Sequence, residues 1–179
     1  EWLVTTPDCT RRALINLREP ALDYWSDLLP APQETLDITF WPDGVREIKL
    51  SAYDHFSPPR YDALPLAYVV KDGQKERATI SITAAPDEVF TGTGERFYKM
   101  DLSGQTFQLK NQDGQGVNNR RAYKNIPFFL SSRMYGVFYH TSAHSKLSLA
   151  DHSTRSVQFL SDQPLLDVFL ISGDTPEEI

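Results

Sequence analysis

Thr35-Leu36-Asp37-Ile38-Thr39-Phe40-Trp41-Pro42-Asp43-Gly44-Val45-Arg46-Glu47-Ile48-Lys49-Leu50-Ser51-Ala52-Tyr53 is the stretch that decides the fold. Leu36, Ile38 and Phe40 fall at every second position; Ile48, Leu50 and Ala52 line one face on the return. A period of two belongs to a half-buried strand, whose side chains alternate between two faces. Pro42-Asp43-Gly44 between the two runs supplies the turn, so the stretch predicts a β-hairpin.

The same pattern continues outward. Residues 66–70 and 78–83 read as a second strand pair around Lys71-Asp72-Gly73-Gln74. Further strands are expected at 89–91, 106–109, 126–131, 136–140, 146–149, 156–159 and 165–171. The last is apolar at nearly every position, as a strand covered on both faces would be. Residues 57–65 carry Pro58, Pro59 and Pro65, which remove ladder donors and fix φ, so this stretch reads as a loop. Helical periodicity shows only weakly, in 13–17 and 21–29. Short strands separated by regular turns, with no alternation of strand and helix, predict an all-β fold: an antiparallel two-sheet β-sandwich, in one domain spanning 1–179.

Composition narrows the function classes. Eighteen Lys and Arg against 24 Asp and Glu leave a net charge of −6, which offers no basic excess for a phosphate backbone, so nucleic acid is not an expected partner. No run approaches the roughly 18 apolar residues that cross a bilayer, so no membrane partner is expected either. The single cysteine, Cys9, permits no internal disulfide. An unpaired thiol and no visible signal peptide point to a cytoplasmic location. At the other end Thr175, Pro176 and Glu178 have the order of an N-cap, a first-turn proline and the third residue of a capping box. Residues 175–179 therefore read as the start of a helix that continues into a further part of the protein.

Few constellations point to chemistry. Gly92-Thr93-Gly94-Glu95-Arg96-Phe97 lacks the third glycine of a dinucleotide loop and the Gly-Lys-Ser/Thr of a P-loop. Its glycines instead predict a sharp, closely approached backbone, with Glu95 and Arg96 as structural residues that pair with other groups. His140 and His144 are four apart but follow a strand, where that spacing gives no shared face, so no metal site and no cofactor are expected. No Gly-x-Ser-x-Gly elbow exists, and Cys9 has no neighbouring histidine, so nucleophilic catalysis has no anchor. Asp87, Glu88, Glu95, Asp101 and Asp113 are all available as carboxylates, and spacing does not choose among them. Asn111-Gln112-Asp113-Gly114-Gln115-Gly116-Val117-Asn118-Asn119-Arg120-Arg121 is the most polar loop. Amides and carboxylates that accept and donate in pairs suit sugar hydroxyls, although Asx and Asp-Gly turns use the same residues to satisfy their own backbone.

Taken in order, Gly92-Thr93-Gly94-Glu95-Arg96-Phe97, Asn111-Gln112-Asp113-Gly114, Ala122-Tyr123-Lys124-Asn125-Ile126-Pro127-Phe128-Phe129-Leu130, Tyr135-Gly136-Val137-Phe138 and Leu166-Asp167-Val168-Phe169-Leu170-Ile171-Ser172-Gly173-Asp174-Thr175-Pro176-Glu177-Glu178-Ile179 resemble the N-terminal domain of glycoside hydrolase family 31. The Tyr-Lys-Asn-Ile-Pro-Phe wording is closest to the α-xylosidase branch, and α-glucosidases are the neighbouring class. The hairpin and the Pro-rich stretch fit the start of that domain; residues 1–30 match only loosely as a lead-in, and the segment before Gly92 is shorter than the family usually shows. The resemblance implies a galactose-mutarotase-like β-sandwich placed before a (β/α)₈ barrel. That barrel would carry the two aspartates of a retaining α-glycosidase, beyond Ile179, one attacking the anomeric carbon and the other protonating the leaving oxygen. No catalytic residue is then expected in this chain, which alone would be inactive. It further implies that Asp113 contacts hydroxyls of an α-linked glycoside or oligosaccharide, with Tyr123 and Asn111 beside it. The protein's own catalytic barrel is the implied partner, and a homo-oligomer is compatible with this role.

Two other classes fit a sandwich. A free-standing carbohydrate-binding module would display a row of aromatics, with Trp2, Trp25 and Trp41 as material. A mutarotase-like epimerase would need a His and Glu pair, drawn from His140 or His144 and Glu88 or Glu95.

Overall fold

The computed structural model describes residues 2–5, 12–15, 21–22, 34–41, 44–52, 66–113 and 121–179. The readings made on Cys9, Trp25, Pro42-Asp43, 57–65 and 114–120 concern residues outside these. β1 (Trp2–Thr5) and β2 (Arg12–Ile15) form a separate antiparallel ribbon with Trp2 opposite Ile15. Where the weak helical period begins, residues 13–15 form a strand, because β-branched and apolar residues fit a paired ladder when a partner strand is present; the rest of that period, 16–17, and 23–29 of the other lie outside the described residues.

The expected hairpin is β4 (Glu34–Trp41) and β5 (Gly44–Ala52), in the register Leu36 to Leu50 and Ile38 to Ile48. β6 (Leu66–Lys71) and β7 (Gln74–Thr83) form the second. Asp72 and Gly73 between them have φ of 50° and 77°, the left-handed pair that matches the twist of a two-residue hairpin.

β7 organises the larger sheet. On one edge it pairs with β13 (Ser156–Ser161), followed outward by β12 (Ser145–Leu149) and β9 (Gln105–Leu109). Its other edge is shared, since Ile80 faces Leu66 of β6 while Ile82 faces Leu36 of β4. The contact with β4 is parallel, as is that of β3 (Ala21–Leu22) with β6; the remaining pairings are antiparallel. The second sheet runs β14 (Val168–Ser172), β11 (Tyr135–Tyr139), β10 (Asn125–Ser131), β8 (Phe90–Gly94), all antiparallel.

The two sheets close on one apolar core. Phe129 of β10 is fully buried, edge-on to Phe90 at 5.5 Å and to Tyr135 at 6.1 Å. Tyr139 of β11 stacks on Phe159 of β13 at 3.8 Å and 3° between ring planes, joining one sheet to the other. Ile80, Ile82, Phe107, Leu147, Leu149 and Val157 supply the face of the larger sheet. β14 corrects one expectation, because it is an edge strand in which Val168 and Leu170 turn to the core while Phe169 stays 46% exposed. An unbroken apolar run is here one core face and one open face. At residues 175–179 the chain makes a turn: Glu178 N donates to Thr175 O at 3.1 Å, and the Glu178 carboxylate accepts from Asp174 N at 2.7 Å. One turn closes few hydrogen bonds for the dihedrals it fixes, so these five residues by themselves do not make a helix.

Candidate functional site at the base of the polar loop

The site begins with a mismatch in strand length. Asn125 pairs with Gly94 and Phe129 with Gly92, so Ile126, Pro127 and Phe128 of β10 stand opposite Thr93 alone. A bulge of this kind bends its strand and re-aims the residues beyond it, and it is also where a strand tolerates a proline without a ladder donor. β8 accommodates the bulge by twisting through Gly92, Thr93 and Gly94 at φ of 120°, 65° and 91°. A Cβ at Gly92 would stand 2.7 Å from the Phe128 carbonyl oxygen, and one at Gly94 would stand 2.1 Å from that of Lys124. The glycines thus serve close backbone approach, as their spacing suggested.

Past the bulge, Arg96 lies half-buried over Phe107, its guanidinium carbon 4.6 Å from the ring centroid. Burial lowers its pKa from the ordinary arginine value. Its Nε donates to Thr93 Oγ1 at 3.0 Å and its Nη2 to Asn125 Oδ1. Asn125 in turn donates from Nδ2 to Asn111 Oδ1 at 2.9 Å and to Ala122 O at 3.1 Å, while its backbone N–H donates to Asn111 Oδ1 at 2.8 Å. Gln112 N donates to Ala122 O at 3.1 Å, and Asn111 and Ala122 form a parallel bridge. These bonds fasten the two ends of the polar loop side by side.

The expected site residues sit on that base. Asn111 turns its side-chain oxygen to Asn125. Asp113 is exposed two residues beyond, where residues 114–120 begin, and Tyr123, 56% exposed, follows Ala122 on the other stem. Glu95 and Arg96 diverge: Glu95 forms an exposed ion pair with Lys124 at 2.9 Å, whereas Arg96 reaches Asn125. Asn125 carried no role in the sequence reading. Its one signal there is an asparagine directly before an Ile-Pro strand, and only the bulge turns it toward Arg96.

The other candidates are held elsewhere. Glu88, 6% exposed, accepts from Ser131 Oγ and Tyr135 Oη at 2.5 Å each and from Ala85 N at 2.8 Å. His140 pairs through Nδ1 with Asp167 Oδ2 at 2.9 Å, on the exposed side of the smaller sheet. Neither arrangement brings a histidine to Glu88 or Glu95. Among the described residues no group of three or more His, Cys, Asp or Glu side chains is placed to hold a metal ion.

Comparison with known proteins gives this geometry a family. Residues 34–147 match the model of the glycosyl hydrolase 31 N-terminal galactose mutarotase-like domain. An α-xylosidase of Lactiplantibacillus pentosus is 40% identical over 93 residues, 52% of this chain and 12% of that protein. An α-xylosidase of Emericella nidulans is 39% identical over 92 residues, 51% of this chain and 12% of its own length. The chain thus spans about an eighth of the length of these relatives. Among solved structures, the cycloalternan-forming enzyme of Listeria monocytogenes superimposes with a TM-score of 0.57 at 24% identity, over 62% of this chain and 11% of the other. A family 31 dextranase of Flavobacterium johnsoniae gives 0.55 at 22% identity, over 84% and 19%. With its two-sheet sandwich and the family match covering well over half its length, the chain belongs to the N-terminal, galactose-mutarotase-like domain family of glycoside hydrolase family 31.

Proposed function

We propose that this chain is the non-catalytic N-terminal domain of a retaining α-glycosidase, an α-xylosidase or α-glucosidase, and that it buttresses the catalytic barrel and lends it the loop around Asp113. The observation that carries this reading is the fastened base of the polar loop, with Asp113 and Tyr123 exposed just past the Asn111–Ala122 bridge. The names of the relatives, two of them α-xylosidases, support the substrate class of an α-linked glycoside. In such an enzyme the chemistry belongs to two carboxylates flanking the glycosidic bond, a nucleophile and an acid/base. Asp113, accepting hydrogen bonds from two sugar hydroxyls, would orient the ring rather than react with it, lowering the barrier by restricting the approach. Tyr123 offers a face or a hydroxyl to the same sugar, and Asn111 shares its amide between the loop base and the ligand.

The test compares hydrolysis of aryl α-xyloside and aryl α-glucoside by this domain, by the full-length enzyme, and by the full-length Asp113→Ala variant. The domain alone is expected to be inert. The variant should lose roughly 10- to 100-fold in kcat/KM, the equivalent of about 1.5–3 kcal/mol for hydrogen bonds to a charged group. Turnover by the isolated domain, or a full-length variant as active as its parent, would overturn the reading.

A further inference from the structure

We infer that Asn125, gripped by Arg96, is a positioning residue that sets the loop base from which Asp113 is presented; this rests on the reading of Asp113 given above. The chemistry of its three side-chain contacts admits one orientation. A guanidinium only donates, so it must face Oδ1; the Asn111 side-chain oxygen and the Ala122 carbonyl only accept, so they must face Nδ2. Both Nδ2 protons and the carbonyl oxygen of the amide are thus engaged, and it ties three segments of the chain: the Gly-Thr-Gly twist through Arg96 and Thr93, the outgoing stem at Asn111, and the returning stem at Ala122. Arg96 is itself fixed, with Nε on Thr93 and its plane over Phe107. A planar fork held on an aromatic ring cannot be replaced by a lysine's single flexible ammonium. The loop base is thus joined to the buried end of β8 and to β9. Thr93, fully buried yet at a φ of 65°, is an unfavourable conformation for a β-branched residue, and its hydroxyl is spent on this same clamp.

The prediction is specific to the substitution Asn125→Asp. The carboxylate keeps its partner in Arg96, but it places an acceptor against Asn111 Oδ1 and Ala122 O, so both stems lose their side-chain bonds to residue 125 and only the backbone bonds at the loop base remain, while the strand keeps its side-chain volume. In the full-length enzyme, kcat/KM for aryl α-xyloside should fall about 10- to 100-fold, the scale of a displacement near 1 Å in an oriented site. The decisive measurement is a double-mutant cycle with Asp113→Ala. If Asn125 acts by placing Asp113, Asn125→Asp costs little once Asp113 is gone. An equal cost in both backgrounds would mean a general structural role and would overturn the inference, as would no cost in either. An inert Asp113→Ala substitution would instead defeat the reading of the loop itself, which separates the two failures. Should Asn125→Asp not fold, Arg96→Lys in the same cycle weakens the clamp from its other end and decides the question by the same criteria.

Discussion

Replacing Tyr135 by phenylalanine isolates the most buried charged contact among the described residues. Glu88 sits where β8 begins, 6% exposed, and its Oε1 accepts from Tyr135 Oη and Ser131 Oγ at 2.5 Å each, while Oε2 accepts from Ala85 N at 2.8 Å. The Arg133 guanidinium stands 3.9 Å away. Tyr135→Phe leaves the ring edge-on to Phe129 but removes one of the donors that offset the desolvation of a buried carboxylate. A hydrogen bond to a charged group contributes about 1.5–3 kcal/mol, so a loss near 2 kcal/mol is expected. For a chain of this length that corresponds to a drop of roughly 4–8 °C in Tm. Urea unfolding of the domain followed by tryptophan fluorescence at pH 7 gives the free energy directly. Burial, and then the charge of Glu88, raise the Tyr135 pKa well above its ordinary value. A phenol whose folded pKa is raised adds stability that is present in full below the unfolded value, near 10, and is lost as the pH rises from there toward the folded value. The wild-type domain should therefore lose stability above about pH 10 more steeply than Tyr135→Phe does. A change under about 0.5 kcal/mol at pH 7 would refute the reasoning, because surface substitutions already span that range.

Further expectations concern the twist, the core and the surface. Gly94→Ala places a Cβ 2.1 Å from a backbone carbonyl, whereas Gly73→Ala, also at positive φ, meets nothing within 4 Å. Both should destabilise by the roughly 1–2 kcal/mol of an unfavourable left-handed residue, but only Gly94→Ala should cost clearly more and also reduce activity of the full-length enzyme, read by paired denaturation and kinetics. Phe129→Ala should cost about 3–5 kcal/mol in urea unfolding, since it empties the centre of the core between Phe90 and Tyr135. Lys124→Ala breaks the ion pair with Glu95, whose two side chains are 68% and 72% exposed, and should change stability by less than about 1 kcal/mol, with no further loss in high salt.

The site was legible in sequence only up to its composition. The Gly-Thr-Gly spacing announced a close backbone approach, because conformational freedom is a property of single residues, and the cluster of amides around Asp113 announced no more than its hydrogen-bonding type. Which side chain fastens that loop was not legible. Asn111 turns its oxygen to Asn125, 14 residues further on, and Arg96 reaches Asn125, 29 residues ahead. Those partners are chosen by the offset between β8 and β10, which no local pattern encodes.

The division has a physical basis. Alternation in 35–53, the Asp72-Gly73 turn and the absence of a strand-helix rhythm determined from sequence alone that this is a sandwich of hairpins, since period and turn chemistry are short-range. Tertiary structure decided what depends on contacts across the chain: that β7 shares one edge between β4 and β6, that β14 is an open edge with Phe169 outward rather than a covered strand, and that an arginine and an asparagine from different strands hold the loop. Strand order and bulge register depend on how both sheets pack together, a long-range condition that no local pattern carries.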